Sequence, residues 1–244
     1  SEQNPDIFLV RGQRYRFVNS TGNGHPFEFR NFDNNADYTD GITGPQNGTQ
    51  DFNVQHDAPS ALKYRCTIHT NSMLGNIYII GGKRGILTSN TTLSGSSQSF
   101  DGIPSWATKI KIIFYRLSMS ANGETYVKLR NGNGDISSGY DSYSVSDDGT
   151  NEEQLTSAFV MMTTSNAHRY SGEMVIEKIS DSRYVSTSSF VRSSTAFSGA
   201  FQHITGGGDL EINSGGIVTG IKLLTSTGNF DSSPSTNYIS IYYE

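Results

Sequence analysis

One short stretch of the sequence holds three side chains that could bind a metal ion. Residues 64–73 read YRCTIHTNSM, so that Cys66, His69 and Met73 follow one another at intervals of three and four positions. A thiolate, two imidazoles and a weak axial thioether form a trigonal copper site. A second imidazole is available from His25, in the segment GNGHPFEF. The residue types therefore predict a copper site made of His25, Cys66, His69 and Met73.

Two other interpretations fit the same residues. One cysteine with two histidines is also a ligand set for zinc. A scaffold that binds no metal would instead keep Cys66 as a small buried hydrophobic side chain. Cys66 is the only cysteine in the chain, which excludes an internal disulfide. His56, in VQHDAPS, is expected to lie in a surface turn before Pro59 and not to bind metal.

The elements that must position these residues are predicted to be strands. Apolar and polar residues alternate in runs such as LKYRC, NIYIIG, KIKIIFYRL and NYISIYYE. Leu62, Tyr64 and Cys66 share one face of the first of these runs, and His69 and Met73 fall in the turn before the second. A loop between two strands can thus gather three ligands, while His25 reaches in from a neighbouring strand.

The composition and the spacing of turn-forming residues favour an all-β chain with two domains. Charged residues make up 17% of the sequence, aromatic residues 11%, and glycine alone numbers 26. Gly, Asn and Asp separate the runs at the short spacings typical of sandwiches and barrels. A Ser/Thr/Gly-rich segment, GGKRGILTSNTTLSGSSQS, interrupts them at residues 81–99. We expect one β domain over residues 1–81, a linker over 82–89 and a second β domain over 90–244.

Several classes of function are disfavoured. A net charge of −5 gives no electrostatic reason to bind nucleic acid or an anionic membrane. No apolar stretch approaches the ~20 residues that a membrane helix needs, so membrane insertion is not expected. The sequence contains no His-Glu-x-x-His or Gly-x-Ser-x-Gly motif, and its glycine-rich turns do not fit a phosphate-binding loop. We therefore predict that the protein is not an enzyme. Because the chain starts at Ser1 without a methionine, we expect it to be the distal part of a longer protein.

The first half resembles the cupredoxin family. The segments GHPFEF and DAPSALKYRCTIHTNSMLGNIYI carry the resemblance, which covers roughly residues 7–80. It implies a Greek-key β-sandwich over residues 1–81, and it implies that His25, Cys66, His69 and Met73 take the positions of the family's copper ligands.

The second half is similar to jelly-roll domains of tailed-bacteriophage virion proteins, which occur in tail fibres, tail spikes and head decorations. SFDGIPSWATKIKIIFYRLSMSANG, YVKLRNGNGDISSGYDS and the closing NYISIYYE carry this similarity, over about residues 90–244. It implies a non-enzymatic structural component on the surface of a phage particle. The partners implied are other virion proteins and a host surface glycan or receptor.

Such particle tips are usually trimers, and we expect a homotrimer that buries aromatic surface such as Tyr140, Tyr143 and Tyr170. Two alternative functions remain. The chain could be a secreted or periplasmic copper protein of electron transfer with an appended binding domain, or a pair of carbohydrate-binding modules from a secreted enzyme.

Overall fold

The computed structural model describes residues 3–146, 152–164, 166–194, 202–212, 216–231 and 237–244. Within them the secondary structure is β-strand apart from one 3₁₀ turn at Gly22–Gly24, which confirms the all-β prediction. Among the described residues, no helix has the length and apolar character to cross a membrane. The chain divides into two compact units, Ser1–Gly85 and Ile86–Glu244.

The first unit consists of two mainly antiparallel sheets that pack against each other. Its strands are β1 (Ile7–Val10), β2 (Arg14–Val18), β3 (Phe27–Asn31), β4 (Ile42–Thr43), β5 (Thr49–Asn53), β6 (Ala61–Cys66) and β7 (Leu74–Ile80). One sheet has the order β1-β7-β6-β3 and the other β2-β5-β4, and β1 runs parallel to β7. Alternate residues point inward, so Phe29, Phe52, Leu62 and Ile77 form the centre of the core.

The second unit contains a larger pair of sheets. Its strands are β8 (Gly85–Thr92), β9 (Ser97–Asp101), β10 (Lys109–Leu117), β11 (Gly123–Asn131), β12 (Gly134–Asp135), β13 (Tyr140–Ser146), β14 (Glu152–Leu155), β15 (Phe159–Thr164), β16 (His168–Ser180), β17 (Arg183–Ser194), β18 (Gln202–Glu211), β19 (Val218–Thr225) and β20 (Tyr238–Tyr243). The eight-stranded sheet has the order β14-β13-β18-β17-β16-β10-β20-β8. The five-stranded sheet consists of β12-β11-β19-β9, with β15 paired to β11. Their inward residues, among them Ile112, Phe159, Met174 and Leu223, form one core.

The junction between the units is shorter than the linker expected over residues 82–89. Strand β8 already begins at Gly85 and lies beside β20 at the edge of the eight-stranded sheet. The backbone N–H of Asn90 also donates to the Ser240 hydroxyl of that neighbour, at 3.0 Å. The sequence predicted a linker here because the segment is polar. An edge strand tolerates polar residues on much of its surface, so polar composition does not exclude a strand.

Two of the three tyrosines expected at the surface are buried instead. Tyr140 is 3% exposed and Tyr170 is 1% exposed, and both belong to the core of the second unit. The Tyr140 hydroxyl accepts a hydrogen bond from the Leu129 N–H at 2.9 Å and donates to the Ile136 carbonyl at 3.2 Å. Burial raises the pKa of Tyr140 well above its ordinary value. Only Tyr143, 58% exposed, lies at the surface as predicted.

Candidate metal site

Two paired strands bring the predicted ligands to one end of the first unit. Strand β3 begins at Phe27, directly after His25 and Pro26, and β6 ends at Cys66. The two strands are antiparallel and pair Phe27 with Cys66. The Thr67 N–H continues the contact by donating to the Pro26 carbonyl at 3.0 Å. The segment that carries His25 therefore lies against the loop that follows Cys66.

Backbone hydrogen bonds close this loop around the site. The Met73 N–H donates to the His69 carbonyl at 3.0 Å, and the Cys66 N–H donates to the Met73 carbonyl at 3.0 Å. On the other side, the Asn19 side-chain amide donates to the His25 carbonyl at 2.8 Å. The backbone carbonyls of His25 and His69 are thus both hydrogen-bonded, which limits the movement of the two histidines.

The three strongest ligands converge. The Nδ1 atoms of His25 and His69 are 3.1 Å apart. The Cys66 Sγ lies 3.8 Å from the His25 Nδ1 and 3.6 Å from the His69 Nδ1. Cys66 is 5% exposed, His25 is half-buried and His69 is exposed. The site therefore has a buried sulfur at its base and an imidazole at the surface.

These distances fit a bound transition-metal ion. Nitrogens held at about 2.0 Å from one ion lie about 3.3 Å apart at a tetrahedral angle, and a sulfur held at about 2.3 Å lies about 3.5 Å from each of them. The observed triangle of 3.1, 3.6 and 3.8 Å is close to both values. Together the ligand atoms lie within 4.8 Å of one another. Without an ion, one imidazole N–H can donate to the facing nitrogen of the other ring.

Met73 lies next to the three converging side chains, whereas His56 does not. Met73 is half-buried at the end of the same loop, where its backbone bonds both His69 and Cys66. Coordination by its thioether stays a prediction. His56 lies apart from the ligands, and its ring nitrogens are 3.1 Å from the guanidinium nitrogens of Arg84.

Sequence reasoning missed a second polar contact in the other unit. The Ser189 hydroxyl and the His203 Nε2 lie 2.9 Å apart on the exposed face of the eight-stranded sheet. Ser189 pairs with Thr205 across β17 and β18, two positions from His203. Only the strand register brings the two side chains together, since fourteen positions separate them in the sequence. No local motif could have indicated this pair.

Comparison with known proteins assigns no family. No family model matches the chain, and no curated protein matches it. Among solved structures, it is similar to scytalido-glutamic peptidase bound to a peptide-based transition-state analogue, with 14% identity and a TM-score of 0.26, covering 64% of this chain and 66% of that one. It is similar to SCP-B of the eqolisin family of peptidases, with 16% identity and a TM-score of 0.27, covering 64% of this chain and 65% of that one. A third similarity, to the CD2-binding domain of CD58, has 9% identity and a TM-score of 0.22, covering 75% of this chain and 88% of that one. At TM-scores this low, none of these similarities assigns an activity.

Proposed function

We propose that the first unit binds a copper ion through His25, Cys66 and His69, with Met73 as a weak fourth ligand. The observation that carries the proposal is the convergence of one thiol sulfur and two imidazole nitrogens within 4.8 Å. Copper is preferred over zinc because the residue set includes a thioether, which is a soft ligand that suits copper. A bound copper would supply one-electron redox chemistry at this end of the unit.

The test is to add Cu(II) to the metal-free protein and record its visible absorption. We expect an intense thiolate-to-copper band, together with a gain in stability of roughly 2.7 kcal/mol when free copper is a hundredfold above its Kd. Loading weakens at acid pH, because the thiol and the imidazoles must lose protons to bind the ion.

Variants separate the roles of the ligands. Cys66→Ser abolishes the band, His25→Ala weakens binding, and Met73→Leu mainly shifts the reduction potential. His203→Ala, which removes an exposed histidine from the other unit, is the matched control and leaves binding unchanged. If the wild type binds no copper and Cys66→Ser melts at the same temperature, the metal proposal is wrong. Colourless binding of zinc with equal stabilisation would mean that the same residues bind zinc and not copper.

We further propose that the protein is a non-enzymatic structural component of a bacteriophage particle that serves in attachment. Its support is the similarity of the two sequence halves to cupredoxin and virion jelly-roll modules, together with an all-β chain that carries little charge. The partners are other virion proteins and a host surface molecule, and the assembly is a homotrimer on the outside of the particle. Antibodies to the purified protein should label intact phage particles in electron micrographs, and light scattering should give a trimer mass. Particles that contain no peptide of this chain would exclude the role.

A further inference from the structure

Three consecutive glycines lie in the middle of β18, and the packing of the sheet explains two of them. A Cβ on Gly206 would lie 2.7 Å from the Tyr143 carbonyl oxygen and 2.8 Å from the Ser188 hydroxyl. A Cβ on Gly208 would lie 2.4 Å from the Ser142 Cβ. Both positions alternate with the outward residues of the strand, and the serines they approach are buried. The interior of the unit therefore requires glycine at 206 and 208.

Gly207 points to the opposite, outer face. Among the described residues, a Cβ there would lie 3.1 Å from the Ser186 carbonyl oxygen, which is a close contact, and would meet no side-chain atom within 4 Å. Its φ angle is not in the left-handed region, so backbone conformation does not require glycine either. Because Gly207 has no side chain and pairs with Tyr143 on one side and Thr187 on the other, it leaves a shallow depression between these two side chains on the outer face of the eight-stranded sheet.

An exposed tyrosine stands beside this depression without filling it. Tyr143 pairs directly with Gly207 across β13 and β18 and is 58% exposed. No atom of its ring comes within 4 Å of the position of a Cβ on Gly207. The first unit shows the contrasting case, since a Cβ on Gly75 would lie 2.4 Å from the ring of its partner Tyr64. The Tyr143 ring is thus free to contact a ligand that enters over Gly207.

The positions that surround the depression at Gly207 in the strand register are polar apart from Val145 and Val185, and they include no lysine or arginine. Asp141 and Asp209 face each other directly across β13 and β18. The Gln154 side-chain amide donates to Asp141 at 3.3 Å, and within the described part of the chain no cationic side chain forms an ion pair with either carboxylate. Two carboxylates placed opposite each other are unfavourable in a sheet unless hydrogen-bond donors approach them. Thr187 and Thr205 add exposed hydroxyl groups on either side.

We propose that this depression binds one residue of a neutral polysaccharide. The apolar C–H face of a sugar ring packs on an aromatic ring, while its hydroxyl groups donate to carboxylates and exchange hydrogen bonds with threonine. The same carboxylates repel sulfated, phosphorylated or carboxylated sugars. The inference names the ligand class for the attachment role proposed above and rests on that role.

The experiment is affinity electrophoresis of the purified protein through native gels. The gels contain dextran, mannan or galactan as neutral probes, and heparin or polygalacturonate as anionic ones. We expect at least one neutral polysaccharide to retard the wild type and neither anionic one to do so. Gly207→Thr, which fills the depression with a side chain that suits a strand, and Tyr143→Ala should each weaken retardation by about tenfold.

The matched control is Tyr115→Ala, which removes a tyrosine that is 54% exposed on another strand of the same sheet and should leave retardation within about twofold. If Gly207→Thr does not fold, Tyr143→Ala still decides, because its ring is at the surface. Retardation by none of the neutral probes, retardation by anionic probes only, or wild-type behaviour of Tyr143→Ala would each overturn the site. Copper titration and labelling of particles do not depend on this result, so failure of the sugar site is distinguishable from failure of the proposed function.

Discussion

Gly75 shows how a single residue supports the candidate metal site. It lies one position inside β7, and the ring of its partner Tyr64 occupies the space where a Cβ would be, 2.4 Å away. The Tyr64 hydroxyl also donates to the Pro5 carbonyl at 2.7 Å, so the ring has little freedom to move. Tyr64 in turn precedes Cys66 by two positions on β6.

We therefore expect Gly75→Ala to lower the free energy of unfolding of the first unit by about 1–3 kcal/mol, through overpacking. Urea denaturation monitored by circular dichroism measures the change. Gly82→Ala is the control, because no atom of the described residues lies within 4 Å of a Cβ at that position. Equal midpoints for the two variants would show that the Tyr64 ring adapts without loss.

The residue scale also shows what the sequence could predict about the site. Residue type and spacing were sufficient to select Cys66 and His69, which are three positions apart in one loop. His25 was selected from its place before a strand, and β3 does begin two residues after it. The burial of Tyr140 and Tyr170 could not be predicted, since their polar neighbours obscure which face of the strand is covered.

Among the elements, β2 and β5 are joined by charges as well as by their backbones. Asp51 on β5 accepts hydrogen bonds from Arg16 at 2.8 and 3.0 Å and from Arg14 at 3.0 Å, both on β2. The hydrogen bond from Arg16, followed by that from Arg14, lowers the pKa of Asp51 from 3.8 to about 2.

Because this pKa is lower in the folded than in the unfolded protein, the carboxylate stabilises the fold above pH ~4, and that contribution is lost as the pH falls through about 2. We expect Asp51→Asn to lower the melting temperature at neutral pH and to flatten its decrease between pH ~4 and pH ~2. Asp33→Asn, an exposed carboxylate whose contact is to Asn35, is the control. Parallel pH curves for Asp51→Asn and the wild type would contradict the assignment.

Strand content was predictable, whereas strand pairing was not. Alternating runs such as LKYRC and NYISIYYE correspond to β6 and β20. Alternation reports which residues share a face, but it carries no information about the neighbouring strand. The parallel pairing of β1 with β7 and the contact between Ser189 and His203 both depend on residues far apart in the sequence. The shallow depression over Gly207 depends on pairing in the same way.

At the scale of the whole molecule, each unit has its own hydrophobic core. All proposed copper ligands belong to the first unit, so a bound copper ion would stabilise that unit alone. Scanning calorimetry should resolve two transitions, and added copper should raise the temperature of one of them. The Cys66→Ser variant should show the same two transitions without the shift. A single transition that moves as a whole with copper would mean that the units unfold together.

Strand β20 pairs with β10 on one side and lies beside β8 on the other, although β8 and β20 are far apart in the chain. The sheet of the second unit therefore cannot be completed during synthesis until residues 238–243 have left the ribosome. Closing contacts over such long sequence separations is slow, since the chain loses much conformational entropy before the strands can pair. We expect this unit to fold only after residues 238–243 have been synthesised, on the millisecond-to-second timescale of β-sandwiches with high contact order. Until then, β10 presents an unpaired edge on which newly made chains can associate.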